Sequence, residues 1–137
     1  VPGKKQIIEI TYSVVYDDPV PKNPIHTEDP GYGVTGTIAP EGTFLLSGAG
    51  WYPRHANGTA TFRLSVKGPA GYEAVTVGKR LERQRLPDYA LSVWDIQNHP
   101  KGLALSAGLY VVREKKAGHI PVYTYFFPED DIFLKST

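Results

Sequence analysis

Residues 44–66 read FLLSGAGWYPRHANGTATFRLSV, and this stretch decides the fold class. Its second half alternates: Ala60, Phe62, Leu64 and Val66 fall on one face, Thr61, Arg63 and Ser65 on the other. A period of two over seven residues is the pattern of a strand with one face buried and the other wet. Its first half is an apolar run, Phe44-Leu45-Leu46, followed by Gly48-Ala49-Gly50 and then Trp51-Tyr52-Pro53. Small residues beside two large aromatics suit a backbone passing close to another element while the rings fill a core. Asn57-Gly58 tolerates positive φ and turns the chain into the next strand. We read two strands joined at a corner.

Working outward, the same texture recurs. Residues 5–16 place Ile8, Ile10, Tyr12 and Val14 on one face and Glu9, Thr11 and Ser13 on the other, which predicts an opening strand. Residues 17–33 are rich in proline and acids and form a long loop. Asp17-Asp18 and Glu28-Asp29 lack the D-x-D-x-D-G spacing of a calcium loop and read as solvated acids. Further strands are expected at 34–38, 72–77, 89–95, 103–113 and 120–127, separated by turn clusters such as Pro40-Glu41-Gly42 and Gly68-Pro69-Ala70-Gly71. Residues 79–88, KRLERQRLPD, suit either a helix or an exposed hairpin. Residues 103–113 are apolar or small on both faces and predict an interior strand. In 120–127, Tyr123, Tyr125 and Phe127 share a face.

The tally is about eight short strands with little helix, which predicts an all-β antiparallel β-sandwich, with a closed barrel as second choice. The 137 residues make one domain of ordinary size. Pro128-Glu129-Asp130-Asp131 ahead of Ile132-Phe133-Leu134 resembles a helix N-terminus, so residues 128–137 read as a linker or helix into a following domain. Together with the absence of methionine, this suggests a piece excised from a larger chain, or a processed one.

Composition excludes several chemistries. With no cysteine there is no disulfide framework, thiolate metal site or cysteine nucleophile, while every compartment stays open. A formal charge of +1 gives no field that favours nucleic acid, and Lys79, Arg80, Arg83 and Arg85 read as an ordinary wet face beside Glu82. No apolar run approaches the roughly 18 residues of a membrane span. The four histidines, His26, His55, His99 and His119, show no metal-ligand spacing. Ser47-Gly48 and Ser106-Ala107-Gly108 lack the strand-turn-helix context of a serine nucleophile. Trp51, Tyr52 and Trp94 could stack on sugar, but their place at strand ends favours core packing. No catalytic constellation emerges.

A resemblance supplies what the residues alone do not. Trp51-Tyr52-Pro53, a polar corner, TFRLSVKGP at 61–69, then Gly71-Tyr72-Glu73-Ala74-Val75 and Gly78 are similar to the amino-terminal domain of aminopeptidase N-type zinc metallopeptidases, the gluzincins. Trp94, Pro100, LALSAGLYVV at 103–112 and VYTYFFP at 122–128 resemble that domain's last hairpins, so the likeness runs over residues 34–128. WYPRHANG stands where many members carry an aromatic-Pro-Cys-x-Asp-Glu-Pro run, which marks a divergent member.

The resemblance implies a saddle-shaped β-sandwich that is not itself an enzyme and that helps wall the peptide cleft of a parent metallopeptidase. The His-Glu-x-x-His motif is absent, so zinc is expected in a missing catalytic domain, which would be the intramolecular partner. That contact should leave an exposed apolar face on the chain. Members lend one Gln or Glu from this domain to the free amine of a peptide, and Glu41 is the acid closest to that place; by its own surroundings it is a turn glutamate. A carbohydrate-binding sandwich and a ligand-free immunoglobulin-like spacer are the rival readings.

Overall fold

The computed structural model describes residues 3–20, 33–54, 59–99 and 102–130. Among these residues nine strands follow one another: β1 (Gly36–Ala39), β2 (Gly42–Leu45), β3 (Ala60–Pro69), β4 (Glu73–Thr76), β5 (Lys79–Arg85), β6 (Tyr89–His99), β7 (Leu105–Gly108), β8 (Val111–Ala117) and β9 (Ile120–Phe126). Every pairing is antiparallel. One sheet has the order β1-β2-β7-β4, a second β3-β6-β5, and β8-β9 form a separate ribbon. Among the described residues the only helical turns are short 3-10 pieces at Ser47–Ala49 and at 128–130. The expected all-β antiparallel architecture is the one observed.

The alternation at 60–66 continues through the whole of β3, with Phe62, Leu64 and Val66 half-buried and Thr61, Arg63, Ser65 and Lys67 exposed. The two larger sheets bury these faces against each other. Leu45, Ala74, Leu105 and Ala107 form one buried cluster, and Trp94, Ile96 and Leu103 form another. Trp51 packs against both clusters, so the corner read from residues 44–66 is where the two halves of the core meet. The chain crosses between sheets at Gly78, whose φ is 99°. A Cβ there would be driven into the Asp95 carbonyl and would stand 2.7 Å from Ile96 Cγ1, so only glycine fits this crossing.

Two expectations need correction. Residues 5–16 do not form a strand; only Asp17 bridges to Thr37. Two backbone bonds, from Ile38 N–H to the Tyr16 carbonyl and from Asp18 N–H to the Gly36 carbonyl, hold the segment to the edge of β1. The alternating pattern is present, but no ladder reaches it, and Ile8 stays 77 % and Ile10 59 % exposed. The interior strand expected over 103–113 breaks at Leu109-Tyr110: residues 105–108 lie between β2 and β4, while β8 leaves for the ribbon. Lys115-Lys116-Ala117 belong to β8, and the ribbon's tip is Gly118-His119. Residues 128–130 form a 3-10 turn closed by Asp130 N–H on the Phe127 carbonyl at 3.0 Å; the helix or linker expected beyond it falls on residues 131–137, which lie outside the described residues.

The open choice at 79–88 resolves as the hairpin, closed by Leu86 N–H on the Tyr89 carbonyl. β5 pairs with β6, with a bulge that sets Leu81 outside the register. The physical reason is a buried acid on the facing sheet, described next.

Candidate functional site

Glu41, the one residue the sequence suggests for substrate contact, sits exposed in the tight turn between β1 and β2, where Ala39 pairs with Gly42. The Tyr72 hydroxyl donates to the Pro40 carbonyl beside it and braces the tip. Its carboxylate is therefore presented on a fixed hairpin end that faces solvent.

The aromatic corner is built into the core. Trp51 Nε1–H donates to the Leu103 carbonyl at 3.2 Å, and the Tyr52 hydroxyl accepts from Leu103 N–H at 2.8 Å. Tyr52 also meets Trp51 and Phe62 edge-on, with ring centroids 4.8 and 5.7 Å apart. Trp94 is buried, and its Nε1–H donates to Ser92 Oγ. The two tryptophans thus serve packing and backbone satisfaction.

Sequence reasoning missed the strongest electrostatic feature. Glu73 on β4 is buried, at 4 % exposure, and faces Arg83 and Arg85 on the inner side of β5. Arg83 grips it with both forks, Nη2 to Oε1 at 2.7 Å and Nε to Oε2 at 2.9 Å. Arg85 adds Nε to Oε1 at 2.7 Å and Nη2 to Oε1 at 2.6 Å. Burial alone would raise the Glu73 pKa, but the hydrogen bonds and charges of Arg83 and Arg85 outweigh it and hold the carboxyl below its ordinary value. The available signal was the alternation of Arg83 and Arg85, which puts both on one face of a strand. Arg80 continues this row: it donates to the Tyr125 hydroxyl at 3.3 Å and lies 5.3 Å from the Tyr123 ring, joining β5 to the ribbon. Lys79 is exposed and stands opposite Asp95 of β6.

The acids at 17–18 also have a structural task. Asp18 Oδ2 accepts from Thr35 N–H at 2.7 Å and Gly36 N–H at 2.9 Å, and these bonds, Gly36 first, lower its pKa. Glu28, Asp29, His26 and His55 lie outside the described residues, and the side chain of His99 does too. His119 is exposed at the ribbon tip. Ser106 shares a 2.7 Å hydrogen bond with the Tyr110 hydroxyl. Among the described residues no three His, Cys, Asp or Glu side chains gather as a metal site, and no helix is long and apolar enough to cross a membrane.

An apolar groove of about 530 Å³ opens between the β1-β2 end of one sheet and β3 at the edge of the other. Ile38, Thr43, Leu45, Val66, Pro69 and Tyr72 are among its walls. The two sheets are therefore clamped by ions on the β4-β5 side and gape on the β1-β3 side. No protein-family profile matches this chain, and neither a curated protein nor a solved structure is significantly similar to it.

Proposed function

We infer that the chain is a non-catalytic β domain of a zinc aminopeptidase-like protein, in which it walls one side of a peptide cleft. The observation that carries this reading is the ordered run from Trp51-Tyr52-Pro53 through β3, the turn at Gly71 and β4 to Gly78. That run forms the hinge of the fold: Trp51 joins the two core clusters and Gly78 makes the crossing between sheets. The exposed, braced carboxylate of Glu41 has the chemistry to hold a peptide's ammonium group once a second domain closes the cleft. In this reading zinc and the general base belong to the catalytic domain, and the apolar side chains exposed on the ribbon, Ile120 and Val122, meet that domain.

The experiment is to sequence the transcript beyond the codon for Thr137 and then assay the complete product on aminoacyl anilides. A His-Glu-x-x-His motif with a distal Glu is expected, and Glu41→Ala should raise KM about tenfold, the worth of one charge-assisted contact. A transcript that encodes no zinc motif overturns the reading. An unchanged KM removes Glu41 from it.

A further inference from the structure

The gaping side of the two sheets has the shape of a missing strand. Among the described residues β3 is paired on one side only, by β6; of its half-buried inward residues Val66 lines the groove, while Phe62 and Leu64 lie further along the strand against Trp94 and Ile96. Across the groove lie Ile38, 54 % exposed, and Leu45. A strand laid along the outer edge of β3 would complete its hydrogen bonding and roof this apolar floor. A cavity of about 150 Å³ holds one benzene-sized group, so about 530 Å³ takes roughly three aliphatic side chains.

The chain carries a strand-patterned segment that pairs with nothing in its own fold. Residues 7–11, IIEIT, put Ile8 and Ile10 on one face and Glu9 with Thr11 on the other. Ile7, Ile8 and Ile10 are all exposed. Charge also matches: with Ile8 and Ile10 turned into the groove, Glu9 comes out beside Arg63 and Lys67, the cations on the outward face of β3.

The segment does not fill its own groove: none of residues 7–11 is among the groove's walls. Tyr12 donates to the Trp51 carbonyl at 2.6 Å and Tyr16 to the Ala49 carbonyl at 3.2 Å. With the backbone bonds that set Tyr16 beside Ile38 and Asp18 beside Gly36, these contacts tie residues 12–18 to the fold, while Ile7, Ile8 and Ile10 stay exposed. Residues 7–11 are exposed and belong to no strand, which makes them an arm free to pair elsewhere. We propose that two copies exchange these arms, residues 7–11 of each adding as a strand to β3 of the other and filling its groove. The exchange is isologous, so it closes as a two-fold dimer.

Sedimentation equilibrium and cysteine cross-linking of the full chain test this. The mass should rise with concentration from 15.1 kDa towards twice that value. Ile8→Asp combined with Ile10→Asp should abolish the rise without moving Tm, since both side chains are exposed in one copy. The chain has no cysteine, so engineered thiols are unique. Mixing Thr11→Cys protein with Ser65→Cys protein should yield a disulfide-linked heterodimer. A wild type that stays monomeric overturns the proposal, as does a dimer indifferent to the Ile8 and Ile10 substitutions. An internal disulfide in a monomeric Thr11→Cys/Ser65→Cys double variant also overturns it, because the arm then fills its own groove.

Discussion

Replacing Arg83 by alanine removes three of the hydrogen bonds that hold the buried Glu73 carboxylate, and leaves it with Arg85 alone. Stripping the partner from a fully buried charge costs about 3–5 kcal/mol. Arg83 is itself 34 % exposed, so water reaches the vacated place and the cost falls to about 2 kcal/mol. Arg85 is 57 % exposed and its loss leaves the bidentate Arg83 pair intact, so Arg85→Ala should cost about 0.5 kcal/mol. Unfolding entropy near 2.1 cal/mol/K per residue gives about 0.3 kcal/mol/K for 137 residues. The expected Tm losses are then about 7 °C for Arg83→Ala and about 2 °C for Arg85→Ala, read by circular dichroism at pH 7.

Acid provides the second arm of this test. The folded pKa of Glu73 lies below its unfolded value of about 4.3, so its stabilisation is complete above that value and drains away as pH falls through the folded pKa. Glu73→Gln should be less stable than the wild type at pH 7 and should lose less stability between pH 5 and pH 2. Equal Tm losses for the two arginine variants, or an acid slope unchanged in Glu73→Gln, would refute the clamp.

Three further outcomes follow from the same geometry. Leu103→Ala should cost about 3 kcal/mol by urea denaturation and shift tryptophan fluorescence, because Leu103 is 1 % exposed and packs with Trp94 beside Trp51. Gly78→Ala should cost about 3 kcal/mol or more, since both its positive φ and the Asp95 carbonyl oppose a methyl group; a well-folded variant of wild-type stability would contradict the described crossing. Trp51→Phe keeps a ring at the junction of the clusters but leaves the Leu103 carbonyl without its donor, for a loss of about 1 kcal/mol in the same urea assay.

Local pattern determined a good deal here. The alternation of Phe62, Leu64 and Val66 fixed a strand and its inward face, the Gly and Pro clusters fixed most of its neighbours, and Trp51 beside small residues marked the corner. These readings need only side-chain period and backbone restriction, which act within a few residues. Which strands meet is a matter of long-range partners. Residues 5–16 carry as clean an alternation as β3, yet form no ladder, because the only edge beside them is β1, which takes just residues 16–18. Residues 79–85 look like a solvated charged stretch and become a strand because Glu73, on a different sheet, needs Arg83 and Arg85. The break at Leu109 and the groove beside β3 likewise follow from how the sheets are offset, a property of the packed whole. Period is written in the chain; the partner that satisfies it exists only once the chain is folded.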